Sequence, residues 1–172
     1  MVQQPGSIMQ IAYVVDDLES AARRWTQLTG AGPFFLLEHL QLVEPRYRGQ
    51  PTDIDASIAL GYSGGICVEL VQQHDALPSV FRELPARAGG GFHHWAVMTE
   101  QFDAEVERYG KQGYAIAFSG AVAVGAGTAR GLVFFHSFGG GEETVFQTGG
   151  DFPTFGPAQQ GFVTYDGEDR YD

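Results

Sequence analysis

The chain has 172 residues, of which 44% are hydrophobic and 18% charged, and this composition fits one compact domain or two small fused modules. Its 10 basic and 21 acidic residues give a formal net charge of −11, which argues against a nucleic-acid partner because phosphate binding needs clustered Lys and Arg. No segment approaches the roughly 20 apolar residues that span a bilayer, no signal peptide is recognisable, and one cysteine excludes an internal disulfide. We therefore predict a cytoplasmic protein that binds neither membranes nor nucleic acid.

The first half of the chain predicts a strand, a helix and three further strands. Residues 9–15 form an apolar strand. Asp16 and Asp17 are candidate N-caps for a helix over 18–28, where apolar residues recur at three- and four-residue spacing. A polar loop is predicted over 44–52. The three strands are predicted over 34–43, 53–62 and 65–72.

The second half repeats this order after a linker. The linker, residues 74–91, contains two prolines and closes with three glycines. Residues 92–99 predict a strand and residues 102–112 a helix. The last segment, residues 149–172, is an acidic and aromatic tail. Three strands separate the helix from this tail, over 114–119, 131–137 and 144–148.

The two halves also match residue by residue. Gln10 in the first strand corresponds to His94, which lies 84 positions later at the same point of the second copy. The same alignment places Ala12 on Ala96, Arg24 on Arg108 and Trp25 on Tyr109. A repeat of this length predicts two structural units related by a pseudo-two-fold axis, with a shared site between them.

Two sequence phrases identify a family that has this layout. Residues 29–35 read TGAGPFF at the end of the first helix, and residues 91–96 read GFHHWA at the start of the second copy. Together with the doubled βαβββ order, they make residues 8–148 resemble the vicinal oxygen chelate superfamily, most closely its methylmalonyl-CoA epimerase-like and glyoxalase I-like branches. The resemblance implies an α+β fold. Tandem βαβββ modules over 8–73 and 92–148 would form a cupped, partly open β-barrel with the helices outside.

The resemblance also implies a metal site. In this superfamily each module offers two ligands, one on its first strand and one on its last, which here are Gln10 and Glu69, then His94 and Gln147. Glu143 is the alternative to Gln147, because the glycine-rich loop before that strand leaves the register open and both residues lie on one face. One imidazole, one carboxylate and two amides can hold an octahedral divalent ion with two open positions. The ligand set does not distinguish Zn, Fe, Mn, Co and Ni.

The ligand types limit the reaction that the resemblance implies. Glyoxalase I has Gln, Glu and His in the same order but a fourth carboxylate that also transfers protons, and Gln147 cannot accept a proton in this way. Gln10 stands where extradiol dioxygenases have a histidine, which argues against a dioxygenase. The remaining reaction is removal of a proton next to a carbonyl, with a divalent ion stabilising the enolate. Glu69, or Asp55 on the adjacent strand, is the candidate base. Asp53 and Asp55 share one face of their strand, and the sequence favours a pair of solvated residues there over a catalytic role.

Other residues are candidates for the substrate pocket. Arg46 and Arg48 flank Tyr47 in the polar loop, where they can clamp a substrate carboxylate or phosphate or simply face solvent. His74 follows the strand that ends the first module, where it can reach the pocket mouth, although its position favours a surface turn. Trp95 is one of several aromatic residues expected to line an apolar pocket.

Two neighbours of the candidate ligands are assigned to packing. His93 alternates with His94 along a strand, so we expect it on the other side, as a core or surface residue. Cys67 lies two residues before Glu69 and is expected to be a small core residue.

The sequence therefore predicts a metal-dependent isomerase or lyase that moves a proton next to the carbonyl of a small apolar or aromatic substrate. The alternative is a non-catalytic small-molecule binding protein of the same fold, as the resistance proteins of this superfamily are. The charge of −11 and an aromatic pocket would suit a cationic ligand in that case. A structural dimeric domain is a third possibility. We expect a homodimer, with the site either within one chain or across the two.

Overall fold

The computed structural model describes residues 7–83, 90–99, 101–123, 129–136, 145–149 and 163–165, the last three of these segments by their backbone. The first part of the chain forms β1 (Ile8–Val14), α1 (Leu18–Thr29), β2 (Phe34–Leu37), β3 (Leu42–Tyr47), β4 (Gln50–Pro51), β5 (Ala56–Ser63) and β6 (Ile66–Gln73). A short 3-10 helix, Val80–Arg82, lies in the predicted linker, of which residues 84–89 lie outside the described part.

The second part of the chain again begins with a strand and a helix, which three further strands follow, two fewer than in the first part. It forms β7 (Gly91–Met98), α2 (Phe102–Lys111), β8 (Ala115–Ala123), β9 (Ala129–His136) and β10 (Val145–Gly149). In the predicted tail, β11 (Val163–Tyr165) pairs with β2, and the other residues from 150 onward lie outside the described part. Neither α1 nor α2 is long and apolar enough to cross a membrane, and no other described helix is either.

The described strands form one sheet with the order β11-β2-β5-β6-β1-β7-β10-β9-β8-β3-β4. In each half the first strand lies parallel to the last, as β1 does to β6 and β7 does to β10. The two halves meet where β1 pairs antiparallel with β7. Because the described sheet runs from β11 to β4 without closing and is accompanied by two helices, the predicted α+β fold with an open barrel is confirmed.

The pairing of β1 with β7 has the symmetry that the repeat predicts. Gln10 pairs with Ala96, Ile11 with Trp95, and Ala12 with His94. Exchanging each residue for its counterpart 84 positions away returns the same three pairs. A pseudo-two-fold axis therefore passes between Ile11 and Trp95, through the centre of the sheet.

Two β-bulges interrupt this ladder, one in each copy of the repeat. The register shifts between Ile8 and Gln10, which leaves Met9 as the extra residue. It shifts again where Ala12 and Tyr13 face His94 and Phe92, which leaves His93 as the extra residue. A bulge lets the extra side chain leave the strict alternation of the strand. Met9 and His93 occupy equivalent positions in the two copies, each directly before a candidate ligand.

The segment after β2 departs from the sequence prediction. The predicted strand over 34–43 is two strands, with His39 between them at a φ of 47°. The predicted loop over 44–52 is wrong, because β3 and β4 occupy most of it. β2 pairs with β5, whereas β3 pairs with β8 of the second repeat. This polar segment is a strand because a distant strand bonds to it, a tertiary effect that local composition does not reveal.

Helix α1 begins and ends with the residues that its sequence predicts. The Asp17 side chain accepts a hydrogen bond from the Ser20 backbone N–H at 2.8 Å and so caps the first turn. Gly30 ends the helix at a φ of 69°, a left-handed conformation that glycine adopts without a steric penalty. The helix thus starts at Leu18 as predicted and extends to Thr29, one residue beyond the prediction.

The main apolar cluster lies between α1 and the strands of the first repeat. The buried helix residues Leu18 and Ala22 belong to it, together with the fully buried Phe34 and Leu70. Burying a side chain of this size stabilises the fold by about 1.5–3 kcal/mol relative to its exposure. A Cβ on Gly61 would lie only 2.8 Å from the Phe34 ring, so the absence of a side chain there lets the ring pack against the sheet.

Candidate functional site

Three of the four predicted metal ligands meet at the centre of the sheet. Gln10 on β1, Glu69 on β6 and His94 on β7 are 0%, 7% and 0% exposed. The Gln10 amide Nε2 donates to Glu69 Oε2 at 2.8 Å and lies 3.4 Å from His94 Nε2. His94 Nε2 lies 3.3 Å from Glu69 Oε2. The structure therefore brings one amide, one carboxylate and one imidazole within hydrogen-bond distance of each other.

The strand register explains why these three side chains meet. Ala12 pairs with Glu69 on one side and with His94 on the other. Gln10 lies two residues before Ala12, so it shares the same face of the sheet. Ala12 is fully buried. Because its side chain is small, the larger side chains of Glu69 and His94 can approach each other across β1.

His93 forms a relay that orients the His94 ring. His93 Nε2 lies 2.9 Å from the backbone oxygen of Val80, and His93 Nδ1 lies 2.8 Å from His94 Nδ1. A carbonyl oxygen only accepts, so His93 Nε2 carries the hydrogen and, in the neutral ring, Nδ1 is the acceptor. His94 Nδ1 must then donate. In a neutral His94, Nε2 consequently presents its lone pair to Gln10 and Glu69.

The environment of His93 keeps this ring neutral. Its side chain is 1% exposed. Burial lowers the pKa of His93 to about 3, and the adjacent His94 ring lowers it further against the opposing effect of the Val80 carbonyl. His93 is buried, as one of the two predicted locations, core or surface, has it. The sequence did not predict its contact with His94, which the bulge at His93 allows. A residue assigned to packing thus contacts the candidate site.

The geometry of the three donors fits a divalent metal ion. Adjacent ligands of an octahedral ion with bonds of about 2.1 Å lie about 3 Å apart. The two potential ligand atoms His94 Nε2 and Glu69 Oε2 lie 3.3 Å apart. The Gln10 amide is the third group, and its Nε2 lies 2.8 Å from Glu69 Oε2 and 3.4 Å from His94 Nε2. The fixed lone pair of His94 Nε2 and the Glu69 carboxylate are donors of the right type. Gln10 would ligate through Oε1, the oxygen of the same amide, so its amide must turn from the hydrogen-bonded orientation.

The fourth predicted ligand lies at the matching position of the second repeat. In the pairing of β7 with β10, Gln147 is the partner of Ala96, just as Glu69 on β6 is the partner of Ala12 on β1. Because Ala12 and Ala96 correspond in the repeat, the backbone position of Gln147 corresponds to that of Glu69. The alternative ligand, Glu143, lies outside the described residues.

Asp55 and His74, predicted as base and pocket residue, lie together away from this cluster. Asp55 Oδ1 is 2.7 Å from His39 Nδ1, and the His39 and His74 rings are 4.9 Å apart. Donor atoms of these three residues lie within 4.8 Å of one another. Neither residue contacts Glu69 in the described hydrogen bonds. Sequence reasoning missed His39, which has no repeat partner or motif around it.

Arg46, Tyr47 and Arg48 were predicted to bind a substrate anion, but Tyr47 and Arg48 bind the carboxylate of Glu83. Tyr47 Oη donates to Glu83 Oε1 at 2.6 Å, and Arg48 Nη2 forms an ion pair with the same oxygen at 2.9 Å. Arg46 Nη1 donates to the backbone oxygen of Gly49 at 3.2 Å. The positive charge of Arg48 is therefore already matched. A substrate anion at this position would have to compete with Glu83.

Trp95 and Cys67 lie in packed surroundings. Trp95 belongs to a group of partly buried residues on the α2 side of β7, which includes Phe102, Val106 and Tyr109. Its neighbour His94 points to the other face, so the structure does not bring Trp95 into the cluster. Cys67 is fully buried, and burial, reinforced by the Glu69 charge, raises the pKa of its thiol far above the usual value. The thiol is therefore a packing group, as its sequence context predicts.

Comparison with known families identifies the fold. The profile of the glyoxalase/bleomycin resistance protein/dioxygenase superfamily matches residues 9–134. The chain belongs to this superfamily. The predicted vicinal oxygen chelate resemblance is thereby confirmed. A comparison with curated protein sequences found no match.

Several solved structures share the fold of this chain at low sequence identity. A methylmalonyl-CoA epimerase from Mycobacterium tuberculosis has a TM-score of 0.55 and 18% identity, over 89% of this chain and 94% of that one. A hypothetical protein from Bacillus halodurans has a TM-score of 0.52 and 13% identity, over 87% and 97%. A 4-hydroxymandelate synthase variant from Streptomyces coelicolor has a TM-score of 0.54 and 12% identity, over 91% of this chain and 52% of that one. At these identities the likeness shows the fold alone.

Proposed function

We propose that this glyoxalase-superfamily chain is a metal-dependent isomerase or lyase that moves a proton next to the carbonyl of a small substrate. The observation that carries the proposal is the buried convergence of Gln10, Glu69 and His94, three potential ligands from three adjacent strands. A carboxylate and an imidazole buried together need a partner or an ion to offset their desolvation. Folds like this one occur in epimerases, which supports the reaction class without naming the substrate.

The proposed metal ligands are Gln10, Glu69, His94 and Gln147. The fourth is supported by its register, which matches that of Glu69 in the other repeat. When bound there, a divalent ion supplies polarisation of a substrate carbonyl and so lowers the energy of an adjacent carbanion. The ligand types allow Zn, Fe, Mn, Co or Ni.

Glu69 is the proposed base. Its side chain is 9% exposed, so a bound substrate would shield the carboxylate from water and strengthen its interactions. The Gln10 amide holds one of its oxygens by a 2.8 Å hydrogen bond, which fixes the carboxylate in the cluster. Asp55, the other base considered from the sequence, pairs with His39 instead. We therefore assign proton transfer to Glu69 alone.

The test is exchange of substrate α-protons with solvent deuterium, followed by NMR over a panel of small ketones, hydroxyketones and acyl thioesters. Glu69→Gln keeps the shape of the side chain but removes the base, so the exchange rate should fall by about 10²–10⁴-fold. His94→Gln should lower both exchange and the metal content measured after purification. Glu107→Gln, a matched change of an exposed carboxylate on α2, should leave both unchanged. Full metal content and exchange in Glu69→Gln and His94→Gln would overturn the proposal.

The second candidate is a small-molecule binding protein. The net charge of −11 favours a cationic ligand, for which the buried Glu69 would supply a counter-charge. In that case no panel member exchanges its α-protons, while an organic cation raises the melting temperature of the native chain but not that of Glu69→Gln.

The assembly and location of the protein remain predictions. We propose a homodimer in the cytoplasm that acts on a small molecule. Sedimentation of the purified chain across a tenfold concentration range tests the dimer. A monomer at all concentrations would contradict it.

A further inference from the structure

We propose that His39, Asp55 and His74 form a second divalent-cation site, suited to Zn²⁺ and similar ions and separate from the Gln10–Glu69–His94 cluster. The inference does not depend on the proposed reaction. It rests on three potential ligands that meet at the ends of β2, β5 and β6, three neighbouring strands.

The three side chains already converge. His39 Nδ1 lies 2.7 Å from Asp55 Oδ1, and each residue offers one donor atom within 4.8 Å of the other two. The His39 and His74 rings are 4.9 Å apart and inclined by 39°. His39 and His74 are exposed, so small side-chain rotations can draw the donors to the spacing of about 3–3.5 Å that a bound ion requires.

The donor types select the class of ion. Two imidazoles and one carboxylate suit Zn²⁺, Co²⁺, Ni²⁺ and Fe²⁺, whereas Ca²⁺ and Mg²⁺ prefer sets made only of oxygen. Three protein ligands leave at least one coordination position for water. The proposed ion is therefore a borderline transition-metal cation with an exchangeable water.

Hydrogen bonds of both backbone and side-chain groups hold the three ligand residues in register. The His39 N–H donates to Ser57 Oγ at 2.9 Å, and the same hydroxyl lies 2.7 Å from His74 Nε2. The His74 N–H donates to the Asp55 carbonyl at 2.8 Å, and the Asp55 N–H donates to the Asp75 carboxylate. His39 adopts a φ of 47°, a left-handed conformation in which a non-glycine residue is strained. This bonding fixes the backbone before any ion binds, which lowers the entropy lost on binding.

The two sites lie on opposite faces of the sheet. Leu60 on β5 pairs with Glu69, so these residues share a face, whereas Ser57 lies three positions earlier and faces the other way. Ala59, two residues from Ser57, packs in the cluster beneath α1. Ser57 contacts both histidines of the second site. An ion there would link three strand ends without entering the central cluster.

The experiment titrates Co²⁺, a spectroscopic probe for Zn²⁺ sites, into a chain that lacks the central ligands through Glu69→Gln and His94→Gln. One equivalent should bind and produce visible absorption, and saturating Zn²⁺ should raise the melting temperature by about 5–10 °C. Adding His39→Asn or His74→Asn should weaken Co²⁺ binding by about 100-fold or more. Glu38→Gln, an exposed neighbouring carboxylate outside the donor set, should change it by less than about 3-fold.

Two outcomes would overturn the proposal. One is the absence of Co²⁺ binding to the double variant at 100-fold excess over protein, and the other is binding that His39→Asn and His74→Asn leave unchanged. If the double variant does not fold, the native chain replaces it, and the number of Co²⁺ ions bound per chain should fall by one in His39→Asn/His74→Asn. That same double histidine variant should keep α-proton exchange. Loss of the second metal therefore stays distinguishable from failure of the proposed reaction.

Discussion

His93 and His94 show how one strand can place adjacent residues in a single site. In a regular strand the two rings would point to opposite faces, but the bulge at His93 brings their Nδ1 atoms to 2.8 Å. The hydrogen bonds that run from the Val80 carbonyl to His93 and from His93 to His94 determine which nitrogen of His94 keeps its lone pair. The carbonyl of the linker helix thereby controls the donor atom of a candidate ligand.

This relay predicts a selective effect of changing His93. His93→Leu removes the acceptor for His94 Nδ1–H and should weaken binding of Co²⁺ at the central cluster by about 10–100-fold. It should also destabilise the fold by about 1–3 kcal/mol, because the Val80 carbonyl loses its buried donor. His93→Gln offers one donor and one acceptor, so it should restore most of the affinity.

The measurement is a Co²⁺ titration in the His39→Asn/His74→Asn background, so that only the central cluster binds. The ¹⁵N chemical shifts of His94 report its tautomer directly. The hydrogen should lie on Nδ1 in the native chain and in His93→Gln. Equal affinity in His93→Leu and the native chain, with the same His94 tautomer, would contradict the relay.

At the scale of elements, the N-cap of helix α1 makes the free energy of unfolding depend on pH. The hydrogen bonds from Ser20 lower the pKa of Asp17 below its usual value, because the ionised carboxylate is the better acceptor. The folded state thus favours the charged form. This contribution is present above the unfolded pKa of 3.8 and is lost as the pH falls through the lower, folded value.

Asp17→Ala should destabilise the chain by about 1 kcal/mol at pH 7, measured by urea unfolding. The difference from the native chain should shrink when the pH falls below the range in which Asp17 ionises. Asp16→Ala changes the adjacent exposed carboxylate, which is not the acceptor for Ser20, and should have a smaller effect. A pH-independent difference for Asp17→Ala would show that the charge is irrelevant to the cap.

The elements differ in how well the sequence predicted them, and the reason is the range of the interactions that form them. Helix α1 depends on its own cap, apolar face and terminal glycine, so its limits were predicted to within one residue. β3 depends on pairing with β8, which lies more than 60 residues away in the chain, and its polar sequence predicted a loop instead. Local patterns therefore predicted the helix and the apolar strands, but not the polar strand β3.

The residues of the two candidate sites also differ in whether the sequence could predict them. The repeat pointed to Gln10 and His94, and the structure places both beside Glu69. The contact of His93 with His94 could not be predicted, because it depends on a bulge formed between two distant strands. His39 could not be linked to Asp55 and His74, because only the pairing of β2, β5 and β6 brings the three ends together.

At the scale of the whole molecule, the pseudo-two-fold axis places the site in the contact between the repeats. Glu69 comes from the first repeat and His94 from the second, and β1 lies between their strands. The copies keep equivalent backbone positions but differ in side chains, since Gln10 corresponds to His94 and Glu69 to Gln147. The sheet symmetry therefore brings unlike donors together, which an octahedral site with open positions can use.

Because the repeats share the β1–β7 ladder and the buried cluster across it, we expect them to unfold as one cooperative unit. Each repeat contains one of the two tryptophans, Trp25 in α1 and Trp95 in β7. Trp25→Phe leaves Trp95 as the only tryptophan, so its fluorescence reports on the second repeat. In this variant, the urea midpoints from fluorescence and from far-ultraviolet circular dichroism should coincide.

A change buried in the first repeat then tests the coupling. Leu70→Ala, added to Trp25→Phe, removes a fully buried side chain and should destabilise the protein by about 2–5 kcal/mol. The Trp95 transition should move to lower urea by about 1 M or more, although Leu70 lies in the other repeat. Leu28→Ala is the matched control, because this leucine is 73% exposed and its truncation should shift the midpoint little. A Trp95 transition that stays in place while the circular dichroism splits into two steps would mean that the repeats fold independently. The ladder between them would then be too weak to hold the cluster of Gln10, Glu69 and His94 in a fixed geometry.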